Sequence, residues 1–163
     1  MDAMSYARAQ LEQSLNLLDV AVDGMDAAQY NYRPGGTCNP PAASHVHALT
    51  GIDALLLTRA GGQEMRWPAL ARAHGMPANP REIWGYEGTI PPDAVKDYAR
   101  DVRESSLAFI SGLAADDLDR RVQTPLGEQC LAFLIQLMST HAAGHAGEIA
   151  AVKGMQGLKG LPF

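Results

Sequence analysis

Four long segments of the chain carry apolar residues at the spacing of an amphipathic α-helix. In the first segment, Leu11, Leu15 and Leu18 recur at steps of three and four residues, which places them on one helical face. At the start of the second segment, Asn39 can cap a helix and Pro40 fits its first position, where no amide donor is needed. The segments span residues 4–25, 40–60, 92–113 and about 124–152.

The connection between the second and third segments is the longest, and its sequence is irregular. Residues 63–91 contain both tryptophans and several prolines, and only residues 69–74 favour a short helix. No stretch of the chain has a convincing strand pattern. The sequence therefore predicts an all-α fold, a four-helix bundle with a long crossover between helices two and three. Its length suits a single domain over residues 1–163.

Composition argues against several classes of partner. Hydrophobic residues make up 47% of the chain, which supports a packed core rather than disorder. The net charge is −5 and no basic run is present, so a nucleic-acid partner is not expected. No signal peptide and no apolar run of membrane-spanning length is visible. We therefore expect a cytoplasmic protein without a membrane partner, in which Cys38 and Cys130 stay free thiols.

Two of the five histidines lie one helical turn apart in the fourth segment. His141 and His145 continue its apolar face, and Glu148 follows three residues later on the same side. Imidazoles at this spacing can share one metal ion, which would satisfy a ring nitrogen on each. The alternative is two unrelated histidines, each hydrogen-bonded to a neighbouring side chain or to water.

Metal sites in helical bundles also draw ligands from a facing helix, and three histidines are candidates. His47 lies on a helical face of small residues that would leave room beside its ring. His45 lies on a different face near the helix start, where we expect a solvent-facing or rim position. His74 falls in the crossover, where a surface histidine needs no special role.

Three places in the sequence resemble the DinB-like proteins, damage-inducible four-helix bundles that include bacillithiol and mycothiol S-transferases. The first is the Asn39–Pro40 pair with His47 seven residues after the proline; the second is the turn "TPLGE" before the fourth helix. The third is the ending "HAAGHAGEIAAVKGMQGLKGLPF". Members of the family often have an acidic pair after the helix-two histidine, of which this chain keeps only Asp53.

The resemblance implies that His47, His141 and His145 bind a divalent metal ion, usually zinc or nickel in this family. Three protein ligands leave an open position, which is typical of a catalytic site. Such an ion can hold a thiol as thiolate or lower the pKa of bound water, so thiol transfer and hydrolysis are both open. The leading prediction is a metal-dependent S-transferase of low-molecular-weight thiols in detoxification or stress response. A metal-dependent hydrolase and a non-catalytic metal- or ligand-binding bundle are the alternatives.

The expected partner is a small-molecule thiol or electrophile, and the resemblance also implies a homodimer. Glu148 is the candidate catalytic residue, and three roles are open to it: it can orient a ligand ring, act as a base, or bond to a Tyr or Arg of the bundle. Asp53 is expected to support the bundle or a loop rather than the metal. Trp84 is expected to pack the crossover onto the bundle, with a place beside a pocket as the alternative.

Overall fold

The computed structural model describes residues 2–161, and the four long helices of that range confirm the predicted bundle. The first helix, α1 (Ala3–Val22), begins where the Asp2 carboxylate accepts a hydrogen bond from the Ser5 amide at 2.8 Å. This cap satisfies one of the amide donors that every helix start leaves without an internal partner. The predicted leucine stripe of α1 is buried along its length.

Within the described residues, five further α-helices follow α1. They are α2 (Ala27–Tyr30), α3 (Pro41–Ile52), α4 (Trp67–Ala73), α5 (Pro92–Ser111) and α6 (Leu131–Met155). The bundle consists of α1, α3, α5 and α6, and α6 packs against both α1 and α3. Beyond Ile52, the α3 helix continues as the π-helical segment Asp53–Ala60. Among the helices of residues 2–161, none is both long and apolar enough to cross a membrane.

The α3 helix begins one residue later than the sequence predicts. Pro40 occupies the N-cap position and Pro41 the first helical position, so the expected Asn39 cap is wrong. The reason is the second proline, whose ring disfavours helical backbone angles at the residue before it. Pro40 accordingly has an extended ψ of 143°. Pro41 itself fits the helix because its missing amide donor would have had no partner there.

The crossover contains α4, which is the short helix predicted in this connection, and a 3₁₀ turn at Pro80–Gly85. Trp67 at the start of α4 is fully buried. The buried carboxylate of Asp53 accepts hydrogen bonds from the Arg66 and Trp67 amides and from the Tyr98 hydroxyl. Asp53 thus links the crossover to α5 through hydrogen bonds, in agreement with the supporting role expected for it.

A small antiparallel hairpin precedes α6, so the expectation of a chain without strands is wrong. Strand β1 (Arg121–Thr124) pairs with β2 (Gly127–Cys130), and α6 therefore begins at Leu131 rather than near Thr124. In the two strands only Val122 is buried. Strands this short and this exposed lack the alternation of apolar and polar residues by which a sequence reveals them.

Candidate metal centre

Three histidines from two facing helices come together. The α3 helix supplies His47, and α6 supplies His141 and His145, one turn apart on the side that faces α3. One nitrogen of each ring lies within 4.8 Å of the other two. The ring centroids are 4.5–5.0 Å apart. This cluster could hold a metal ion after small ring rotations, since zinc–nitrogen bonds are about 2.0–2.1 Å long.

The ring of His141 packs against the α3 backbone at Gly51. A Cβ atom at position 51 would lie 3.3 Å from Nε2 of His141, so the glycine leaves the space that the ring occupies. This Nε2 atom is buried and has no hydrogen-bond partner among the described residues. A buried nitrogen without a partner costs stability, and a metal ligand role would satisfy it.

Burial keeps two of the three histidines, His47 and His141, in the neutral form that binds metal. Burial, with smaller contributions from the neighbouring His141 and His145, lowers the pKa of His47 to about 4. Burial lowers the pKa of His141 as well, again with a contribution from His145. His47 and His141 are therefore neutral near pH 7, and metal-binding imidazoles must be neutral.

The orientation of His145 is set by Glu148, one turn further along α6. Nδ1 of His145 lies 2.7 Å from Oε2 of Glu148. Because an ionised carboxylate only accepts hydrogen bonds, Nδ1 carries the proton and the lone pair is at Nε2. The same carboxylate oxygen accepts a long hydrogen bond of 3.4 Å from the Ser44 hydroxyl. Metal-binding histidines usually have a carboxylate or carbonyl partner of this kind.

Trp84 covers the His47 ring from the crossover. Their ring centroids are 4.6 Å apart, and the Trp84 indole also packs against the hydrophobic core. The packing predicted for Trp84 is therefore confirmed. The indole shields one side of the histidine cluster from solvent.

The other two candidate histidines lie outside the cluster. His45 is fully buried, so the rim position expected for it is wrong. Its Nδ1 lies 2.9 Å from the Tyr30 hydroxyl, and burial lowers its pKa to about 4. The short helix α2 carries Tyr30 against α3 and covers the face that the sequence suggested was open. His74 is exposed at the end of α4, as expected.

An apolar cavity of about 370 Å³ adjoins the cluster, with His47 and His141 in its wall. Of the described residues, Arg81 is the one Lys, Arg, Asp or Glu that lines it. Its apolar walls come from the π-helical segment, the hairpin turn and α6, chiefly Leu55, Pro125, Leu126, Leu137 and Met138. A small molecule with an apolar body fits such walls, because binding removes apolar surface from water.

Ser44 and Leu126 are among the residues of the site that the sequence did not predict. Ser44 lies three residues before His47, so helical spacing alone could have placed it on the same face. Leu126 comes from the hairpin turn, whose position against α6 depends on tertiary packing and has no local signal.

Comparison with known proteins identifies the family. The family model described as the DinB superfamily matches residues 10–149. The chain belongs to the DinB superfamily. Members of this superfamily often bind metal ions, and the present chain has three histidines close enough to hold one. No curated protein matches the sequence.

Two solved structures share the DinB-like fold of this chain. One is described as a conserved protein from Enterococcus faecalis, with a TM-score of 0.78 and 11% identity over 94% of this chain and 96% of that one. The other is described as the sibling lethal factor precursor DfsB, with a TM-score of 0.67 and 15% identity over 97% and 99% of the two chains. At these identities the likeness shows the fold alone.

Proposed function

We propose that this DinB-superfamily protein is a metal-dependent enzyme that transfers a low-molecular-weight thiol to an electrophilic small molecule. The observation that carries the proposal is the meeting of three half-buried imidazoles beside an apolar cavity. His47, His141 and His145 would hold zinc or nickel, since neutral imidazoles suit both ions. With three protein ligands, the bound ion would keep an open position and lower the pKa of a thiol or water there.

Glu148 would act through His145 as a positioning residue. Its carboxylate accepts the Nδ1–H of His145 and would fix the tautomer and the orientation of the ring. The apolar cavity beside His47 would hold the electrophile and keep water away from it. In the transfer, sulfur forms a bond to the electrophilic carbon, the leaving group departs with its electron pair, and the thiol proton passes to solvent.

Metal-dependent hydrolysis is the second candidate, and the exposure of Glu148 favours it. The side chain of Glu148 is 53% exposed, so its carboxylate is open to water. A carboxylate in that position can accept a proton from an attacking water molecule. In this case the same residue would be the general base instead of a support for His145.

Metal analysis tests the ligand set. Purified protein should carry about one divalent ion per chain, as expected for a single site with three protein ligands. His47→Ala, His141→Ala and His145→Ala should each lose the ion, because two remaining imidazoles hold it poorly. His74→Ala is the control, since His74 is exposed in the crossover, and it should keep the ion. Metal retention by any of the three ligand variants would refute the assignment of that residue.

A thiol assay then separates the candidate functions. Cobalt-substituted protein should change its visible spectrum when cysteine, glutathione or a bacillithiol-like thiol is added. The metal-loaded protein should also accelerate conjugation of the same thiol to an apolar electrophile such as a bimane bromide. Metal binding without either response would refute the transferase and leave the hydrolase and the non-catalytic metal-binding bundle.

A further inference from the structure

A second and larger cavity, of about 600 Å³, lies between the π-helical segment and strand β1. Three arginines line it, Arg59 from the π-helical segment and Arg120 and Arg121 at the start of the strand. Among residues 2–161, no acidic side chain is part of the lining, and the sequence neighbours Glu64 and Asp119 lie outside it. We call this cavity the arginine pocket.

The three arginines of the pocket form no ion pair with a carboxylate within the described residues. All three are solvent-exposed. Three positive charges on residues that line one cavity favour a bound anion, which would pair with them. Each guanidinium group has a planar set of N–H donors that matches two oxygens of a carboxylate or phosphate.

The floor of the pocket provides a further donor and apolar surface. Oγ1 of Thr58 is buried and has no hydrogen-bond partner among the described residues. Met65 and Val122 supply the apolar part of the lining, and Val122 is itself buried. Pairing of β1 with β2 holds the backbone of Arg121 and Val122 in place. The hairpin therefore fixes the backbone that carries Arg121.

We propose that the arginine pocket binds a small molecule with two or more negatively charged oxygens, carried by carboxylates or by a phosphate group. The three arginines bind these oxygens, and the Thr58 hydroxyl donates a hydrogen bond to one of them. Ala54 lines both the arginine pocket and the cavity beside His47, so the two sites are neighbours on one helix. The proposal does not depend on the metal or on thiol transfer.

Calorimetric titration of the full chain as purified tests the proposal. The probes are tricarballylate and inorganic phosphate, at constant ionic strength and with sodium chloride as the reference. At least one of the two probes should bind saturably at one site per chain. Binding of tricarballylate alone would indicate a carboxylate ligand, and binding of phosphate alone would indicate a phosphate ligand. Amide NMR shifts caused by the probe should centre on Thr58 and Val122.

Charge-removing variants locate the binding. Arg59→Gln, Arg120→Gln and Arg121→Gln should each raise the Kd about tenfold or more, the usual effect of losing a charge-assisted hydrogen bond. Arg72→Gln is the matched control, because Arg72 is exposed on α4 and outside the pocket, and it should leave the Kd unchanged. The proposal would be overturned if neither tricarballylate nor phosphate bound saturably relative to the sodium chloride reference. Equal Kd values for all four variants would also overturn it.

Discussion

Replacement of Glu148 by glutamine should weaken metal binding without abolishing it. In the structure, Oε2 of Glu148 lies 2.7 Å from Nδ1 of His145. Glutamine keeps the shape of the side chain and an oxygen acceptor at this position, but it removes the negative charge. Loss of such a carboxylate partner typically costs about 10–100-fold in metal affinity or activity, roughly 1–3 kcal/mol. Because the Glu148 side chain is 53% exposed, water and salt screen its charge. We therefore expect the lower end of the range, about tenfold.

Competition with a chromophoric zinc chelator at fixed ionic strength measures this effect. Glu104→Gln is the control, because Glu104 is an exposed glutamate on α5 and should leave the affinity unchanged. Turnover and melting temperature should be recorded on the same samples, since a catalytic base would lose turnover and keep its metal affinity. Equal affinities for Glu148→Gln and Glu104→Gln would refute the positioning role.

Three further predictions concern the space around the site, the buried carboxylate and the response to acid. Gly51→Val should lower the metal content measured by elemental analysis, because even a Cβ there would lie 3.3 Å from Nε2 of His141; Gly154→Val, with open space around it, should not. Asp53→Ala should lower the free energy of unfolding, measured in urea, by about 3–5 kcal/mol. The change leaves the buried donors of Trp67 and Tyr98 unpaired and removes the carboxylate that pairs with Arg66. The control Asp101→Ala, at an exposed residue, should change the free energy little, and an equal loss in both variants would contradict this account. Burial lowers the pKa of His45 to about 4. Between pH 6.5 and pH 4 the unfolded chain therefore binds more protons than the folded chain. The stability that is present above pH 6.5 is lost as the pH falls through this range. The loss is at most about 1.4 kcal/mol per pH unit, and it should be smaller in His45→Gln when urea unfolding at pH 7 and pH 5 is compared.

The bundle could be predicted because its signal is local. Apolar residues three and four apart define a helical face whatever that face packs against, so α1, α5 and α6 follow from spacing alone. The hairpin before α6 escaped prediction because its short strands are mostly exposed. The π-helical continuation of α3 has no sequence signal of its own in this chain. The single domain, the homodimer and the cytoplasmic location stay predictions.

The candidate site likewise contains residues that local spacing predicts and residues whose position depends on tertiary packing. His141 and His145 lie within one helix, so their spacing alone shows that they share a face. The pairing of His145 with Glu148 is also local to α6. The position of His47 beside them depended on the packing of α3 against α6, which only the family resemblance indicated in advance. His45 was misjudged because the residue that buries it, Tyr30, lies on a separate short helix.

The sequence by itself thus determined the helices, the helix-four histidine pair and the family, because each depends on spacing within a segment. The tertiary structure decided the rest. It placed His47 and Trp84 at the cluster and brought Arg59 beside Arg120 and Arg121. Each of these groups joins residues from distant parts of the chain, and their proximity depends on how the elements that carry them pack together. Periodicity shows that such a face exists but does not identify the surface that covers it.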